Sequence, residues 1–284
     1  MPVEPPVTSP QTLADAYALL AEALHQPVAG GTDLLVQITG ELGEPPDRVL
    51  DIWRLDELRG INVDQDALVI GALTTYTEIR RSPLVTEFLP ALAEAAATIG
   101  AAQIQNRGTL GGNAVNASPA GDTLPILLAT DAQLVLGSAR GERVVVADDF
   151  WPAYRRTARA DDELLLRIRV PLVPDRQVRF RKVGTRRAQA ISKVVMALAW
   201  RGDRDEPWTD VRLALGSVAA TPIRAVRTEA VLEGAESTAA TADAAAAVLA
   251  EELNPIDDVR STADYRRAVA SRVLHRLVRE AGGW

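Results

Sequence analysis

The sequence predicts an α+β protein in two domains, a larger one over residues 1–173 and a smaller one over 176–284. Three observations predict it. Short apolar strands alternate with helix-period segments as far as Val173. Pro171 and Pro174 then interrupt the chain, and the composition changes. Beyond them strand-like runs come first and two alanine-rich helices close the sequence. A chain of 284 residues is long for one core and comfortable for two, and its 47% hydrophobic content suffices to bury them.

Taken in order, Ser9-Pro10 opens a helix over residues 9–24, with Leu13, Tyr17, Leu20 and Leu24 at helical spacing. Val28-Ala29 reads as a strand end, followed by Gly30-Gly31, and then by Thr32 and Asp33 as caps for a helix over 34–39. Residues 48–52 form a short strand and 55–58 a helical turn. A hairpin pairs 61–63 with 67–72, and Thr74-Thr75 caps a helix that begins near Tyr76. A helix over 89–99 leads into residues 98–122, TIGAAQIQNRGTLGGNAVNASPAGD, a glycine-rich loop, and the apolar run 124–129 follows it. Strands are expected at 133–136, 142–146 and 164–170, then at 178–183 and 211–218. Residues 190–200 are a largely apolar run that fits a strand or a helix. The closing helices cover 238–253 and 263–280. On the last, Arg266, Arg267, Arg272, Arg276 and Arg279 read as a solvated face.

Two stretches stand out chemically. Glycine permits positive φ and close approach of the backbone to a ligand, and successive turns of that kind can aim several N–H groups into one concavity, as an anion requires. Residues 98–122 are one such stretch; the alternative is a loop that only turns a corner. Residues 28–34 are the second, placing glycines at a helix start, and their alternative is an ordinary N-cap. Neither is the G-x-G-x-x-G nor the G-x-x-x-x-G-K-[ST] pattern.

Composition removes many function classes. There is no cysteine, hence no disulfide, no iron–sulfur cluster held by this chain and no cysteine nucleophile. The two histidines, His25 and His275, lie at opposite ends of the sequence and read as helix-end or surface residues, and no G-x-S-x-G elbow is present. Chemistry, if the chain performs any, is expected to come from a cofactor. A net charge of −7 argues against nucleic acid as a partner, despite the basic cluster Arg179, Arg181, Lys182, Arg186 and Arg187. No apolar run has the length of a membrane span and the first residues lack the plan of a signal peptide, so the expected location is cytoplasmic.

Residues 29–34 (AGGTDL), 103–113 (QIQNRGTLGGN) and 117–122 (ASPAGD) together resemble the FAD-binding medium subunit of molybdenum hydroxylases, the aerobic carbon monoxide dehydrogenase and xanthine dehydrogenase family. The resemblance covers nearly the whole chain, since 49–61 (VLDIWRLDELRGI), 71–79 (GALTTYTEI), 163–171 (ELLLRIRVP) and 215–234 (LGSVAATPIRAVRTEAVLEG) follow in the expected order. It implies an FAD-binding domain of the PCMH, or vanillyl-alcohol-oxidase, type in two subdomains, about 1–58 and 59–173, then a smaller C-terminal flavoprotein domain. By that resemblance Val28, Ala29, Gly30, Gly31, Thr32, Asp33 and Leu34 hold the pyrophosphate and neighbouring groups. Ile99, Gly100, Ile104, Thr109, Gly112, Asn113, Val115, Asn116, Gly121 and Asp122 line the rest of the cofactor. Leu164 and Leu165 match the adenine end, and Lys182 matches a lysine near the isoalloxazine ring, where a cation favours the charge that reduction brings. With no cysteine and no well-placed histidine, the FAD is expected to be non-covalent.

The resemblance also implies partners: an iron–sulfur small subunit that delivers electrons, a molybdenum-cofactor large subunit that oxidises substrate, and NAD, oxygen or another acceptor. The alternative is a stand-alone FAD-dependent oxidoreductase on the same fold. One departure bears on both. The family commonly has Asp-Ile-Ala where this chain has Ala190-Ile191-Ser192, which leaves open the acceptor and the C-terminal domain's share of the flavin site.

Overall fold

Three sheets carry the chain in the computed structural model, which describes residues 5–40, 43–186 and 189–284. The first is parallel and small. It takes β1 (Val7–Thr8), β2 (Gln26–Val28) and β3 (Val49–Asp51) in the order β1-β3-β2, and it accompanies α1 (Leu13–Glu22) and α2 (Leu34–Thr39). Helix α1 starts later than its apolar spacing suggests. Thr12 accepts from the Asp15 N–H at 3.1 Å and donates its own N–H to the Asp15 carboxylate at 3.2 Å. This capping box sets the start, so Ser9 and Pro10 stay outside and Leu24 is left exposed beyond Glu22. Ala16 and Leu20 pack on Leu50, Ile52, Leu55 and Leu58. β1, from the proline-rich lead, is an element the sequence reading did not foresee.

The second sheet is antiparallel. After a turn of 3-10 helix at Asp56–Leu58 come β4 (Ile61–Asp64) and β5 (Ala67–Gly71), then a run of helices: α3 (Tyr76–Arg81), α4 (Pro83–Phe88), α5 (Pro90–Thr98), α6 (Ala102–Gln105), α7 (Leu110–Asn116) and α8 (Leu124–Ala129). β6 (Gln133–Ser138), β7 (Gly141–Val146), α9 (Ala147–Phe150) and β8 (Leu164–Pro171) complete it, in the order β4-β5-β8-β6-β7. The glycine-rich stretch is therefore not one open loop, because it contains α6 and α7. Glycine and asparagine favour helix weakly. Distant bonds hold α7 in place, Leu110 N–H to Thr74 O at 3.0 Å and Gly111 N–H to Ala72 O at 2.9 Å.

The third sheet is β9 (Arg176–Val183), β10 (Val194–Arg201), β11 (Thr209–Gly216) and β12 (Ile223–Arg224), antiparallel in the order β12-β11-β10-β9, with α10 (Val226–Leu232), α11 (Ala239–Glu252) and α12 (Ala263–Gly282). The ambiguous run 190–200 contains strand β10, and the uniform apolarity of 194–200 has a simple cause. Val195, Ala197 and Ala199 face the core that holds α8 and the second sheet, whereas Val194, Met196, Leu198 and Trp200 face the core under α11 and α12. A strand buried on both faces shows no alternation. Charges join the same regions: Arg176 donates to Asp131 at 3.1 Å and to Asp210 at 2.5 Å, and Arg212 donates to Asp131 at 3.2 Å.

Four of the five α12 arginines are exposed or half-exposed, but Arg266 is buried, which corrects the uniform solvated face. The basic strand is likewise spoken for: Arg181 pairs with Glu94 and Glu280, and Lys182 with Asp122. Arg187 lies outside the described residues. Among the described residues no helix is long and apolar enough to cross a membrane.

Candidate functional site

A cleft of about 1130 Å³ runs between the three sheets, and every predicted site residue lies on its wall. That exceeds the roughly 300–1,000 Å³ of ordinary small-molecule pockets. The structure thus brings together 28–34, 99–122, Leu164-Leu165 and Lys182, which the sequence keeps far apart.

Segment 28–34 follows directly from β2. Gly31 takes φ +75°, in the left-handed region, and a Cβ on Gly30 would sit 1.7 Å from the carbonyl oxygen of Arg107. The two glycine segments therefore touch backbone to backbone. Among the described residues, the backbone N–H groups of Gly30, Gly31, Thr32 and Asp33 find no acceptor in the chain. Successive free N–H groups around a left-handed residue form an anion nest. Neither Thr32 nor Asp33 caps α2 through its side chain. The Asp33 carboxylate instead accepts from Asn116 Nδ2 at 2.9 Å.

The longer stretch works differently. Its glycine N–H groups are largely committed: Gly108 to Ile104 O, Gly111 to Ala72 O, Gly112 to Thr109 Oγ1 and Gly121 to Ser118 O. Here glycine supplies room. A Cβ on Gly111 would meet Ala72 at 2.6 Å, and one on Gly108 would meet the Tyr76 ring at 3.0 Å. Among the described residues the free donors thus lie in 30–33 and, at the start of α6, in 100–104 around Gly100 at φ +53°, while 108–121 shapes the wall.

At the end of the stretch Lys182 Nζ, from β9, donates to Asp122 Oδ2 at 2.5 Å and to Thr98 O at 3.3 Å. Burial pushes the Asp122 carboxyl above the usual carboxylate range, and Lys182 opposes that push. Asp122 Oδ1 is buried on the cleft wall with no partner among the described residues. The charge of Lys182 is accordingly compensated, and what faces the cleft is one end of an ion pair. Tyr76, also on the wall, is fully buried, and burial together with the charges of Asp122 and Asp33 holds its phenol proton on.

Several wall residues escaped the sequence reading: Tyr76, Tyr154, Arg155, Arg159, Ser192, Ser217 and Arg266. Ser192, part of the Ala190-Ile191-Ser192 departure, is buried and donates to Ala120 O at 3.3 Å; its Oγ lies 2.9 Å from Ser217 Oγ. Ser217, at φ +65°, donates its N–H to Pro119 O at 2.8 Å and accepts from Arg266. Lys182, Ser192 and Ser217 thereby grip residues 118–122 through side chains and backbone. A motif would not have found this, since the partners lie 72 and 25 residues apart. The histidines stay out of the cleft. His25 is buried with Nδ1 2.8 Å from Ala23 O, and His275 sits 3.3 Å from Asp243.

Comparison with known proteins decides the family. The model for the FAD binding domain in molybdopterin dehydrogenase matches residues 2–173, and that for the CO dehydrogenase flavoprotein C-terminal domain matches 179–281. The chain belongs to the FAD-binding subunit family of molybdenum hydroxylases. This FAD subunit is 32% identical over 277 residues to the nicotinate dehydrogenase FAD-subunit of Eubacterium barkeri, covering 95% of this chain and 93% of that one. It is 33% identical over 284 residues to the carbon monoxide dehydrogenase medium chain of Hydrogenophaga pseudoflava, covering 96% and 95%. A solved carbon monoxide dehydrogenase from the same organism, lacking the Mo-pyranopterin moiety, superposes with TM-score 0.94 at 31% identity over 100% of this chain and 99% of that one. Quinoline 2-oxidoreductase from Pseudomonas putida 86 gives 0.92 at 26%, over 99% and 97%.

The residues present fit FAD. An acceptor-free row of N–H groups suits a diphosphate, the unpartnered Asp122 oxygen suits a ligand donor, and the glycine approaches keep the wall free of side chains. The protein is an FAD-binding oxidoreductase subunit.

Proposed function

We propose that this chain is the electron-transfer subunit of a heteromeric molybdenum enzyme. It takes electrons from a separate iron–sulfur subunit, which a molybdenum subunit feeds, and passes them to NAD or another acceptor. Bound FAD supplies the redox chemistry. The chain's own residues hold it: the N–H groups of 30–33 toward the diphosphate, residues 99–122 along its length, Leu164 and Leu165 at the adenine end, and the Asp122–Lys182 pair toward the ring. In this division residues 1–173, with subdomains of about 1–58 and 59–173, bind the cofactor. Residues 176–284 close the cleft from the other side.

One observation carries the reading. The chain matches FAD subunits and medium chains along almost their whole length yet contains no cysteine with which to hold an iron–sulfur cluster of its own. A flavin that exchanges electrons with such a cluster therefore needs a second chain. The test is anaerobic mixing of the purified holoprotein with its reduced, co-purified iron–sulfur partner, followed at the flavin absorbance. Rapid flavin reduction by the partner, with none by small organic donors added to the isolated chain, is the expected result. Turnover of a small donor by the isolated chain would establish the stand-alone oxidoreductase instead.

A further inference from the structure

One part of the cleft wall belongs to neither glycine segment. Between α9 and β8 the chain forms a strap anchored at both ends. Trp151 Nε1 donates to Ala114 O in α7 at 2.9 Å, and the Ala158 N–H donates to Phe150 O at 2.9 Å. A bridge between Ala153 and Arg156 folds the tip back, which puts Arg155 at φ +51°, a conformation non-glycine residues rarely adopt. Both tip side chains, Tyr154 and Arg155, reach the cleft wall, and Tyr154 is 59% exposed.

Arg155 is placed with care. Its Nη1 donates to Asn116 Oδ1 at 3.1 Å, and Asn116 Nδ2 donates to Asp33 Oδ1 at 2.9 Å. These two bonds connect the strap, the end of α7 and the glycine segment whose N–H groups lack acceptors. Three other cations of the wall are paired with carboxylates and two bond backbone carbonyls. Lys182 pairs with Asp122, and Arg266 and Arg260 pair with Asp258. Arg159 donates through Nη1 to the carbonyls of Ala160 and Glu163, with its buried Nε left without a partner among the described residues, and Arg186 donates to that of Gln189. Among the described residues Arg155 donates to one neutral acceptor and lies 5.9 Å from the centroid of the Tyr154 ring, with no carboxylate in an ion pair, though a guanidinium carries five N–H donors. A diphosphate bound at 30–33 carries negative charge beside Asp33, in a chain of net charge −7. Backbone dipoles alone leave that charge poorly met, and Arg155, joined through Asn116 to Asp33, is the cation placed beside it.

We propose that the strap covers the ADP half of FAD, with Arg155 donating to the diphosphate and the Tyr154 ring lying against the adenosine. This rests on reading the cleft as the FAD site. It makes the strap a selector for adenine dinucleotide over the shorter FMN.

The test strips FAD from the full chain and titrates the apoprotein with FAD, ADP and FMN at low and high salt. Arg155→Ala is expected to weaken FAD and ADP by about tenfold to a hundredfold and to flatten their salt dependence, with Arg155→Lys recovering part of the loss. Tyr154→Ala weakens ADP several-fold and Tyr154→Phe does not. Arg156→Ala, on the same turn, leaves all three ligands as in wild type. Thermal melting of apo Arg155→Ala at the wild-type temperature shows that the loss is not unfolding. If wild type binds FAD and ADP but Arg155→Ala binds both within twofold of it, the strap has no such role and the cleft reading survives. If wild type binds no FAD, the cleft reading falls and the strap proposal with it.

Discussion

Gly30 joins the two glycine segments, and replacing it tests how the site is built. A Cβ there would lie 1.7 Å from Arg107 O, 2.4 Å from Arg107 C and 3.2 Å from Gly108 N, all backbone atoms that no rotamer change can move. Relief to an ordinary separation of roughly 3.2 Å needs a shift of about 1.5 Å between the segments. The N–H groups of 30–33 ride on that shift, and a hydrogen bond of about 2.9 Å stretched by that amount is lost. Losing two bonds to a charged phosphate, at about 1.5–3 kcal/mol each, predicts a fall in FAD affinity of roughly a hundredfold to ten-thousandfold for Gly30→Ala. The fold itself should lose only about 1–3 kcal/mol, the usual cost of overpacking. Flavin fluorescence titration of the apoprotein measures the first quantity and urea unfolding the second. Gly60→Ala is the control: its φ is +98° with nothing within 4 Å of the added Cβ, so it costs stability without touching FAD. A Gly30→Ala protein that binds FAD within threefold of wild type would refute the backbone-contact reasoning.

Two further outcomes are expected. Ala197→Leu adds volume on the face of β10 that meets the core of the first domain, and should cost about 1–3 kcal/mol in urea unfolding, whereas Met196→Leu on the opposite face should cost less than about 1.5 kcal/mol. Glu163 accepts from Arg143 at 2.6 and 2.7 Å and from the Ala160 N–H at 2.8 Å, and the Arg143 bonds, foremost, hold its carboxyl below the usual range. A depressed carboxylate stabilises the fold above its unfolded pKa of about 4.3 and loses that contribution as pH falls through the lower native value. Glu163→Gln should therefore cost about 1–2 kcal/mol at pH 7, with the difference from wild type shrinking below about pH 4 in pH-resolved denaturation.

Much of the fold can be read from the chain because its signals are short-range. The box of Thr75 with Glu78, the hairpin 61–71 and the helices near the C-terminus are encoded within a few residues of themselves, and they form where expected. Where two local signals compete, the reading slips: apolar spacing extends α1 to Leu24, but the Thr12–Asp15 box starts it later and it stops at Glu22. The run 190–200 stayed ambiguous because burial on both faces erases the period-2 pattern that marks a strand.

The sequence by itself determined the family and marked the two glycine segments that meet at one cleft, since glycines, an absent cysteine and the order of motifs need no partner to be seen. Only the tertiary structure decided how the work is divided among them. It left the N–H groups of 30–33 free and committed most of those on the longer stretch. It paired Lys182 with Asp122 across 60 residues, buried Arg266, and brought Arg155 to Asn116 across 39. The physical reason is the reach of each signal. A cap or a turn is satisfied within one turn of helix, whereas a buried charge or a free donor is defined by what the rest of the chain brings beside it.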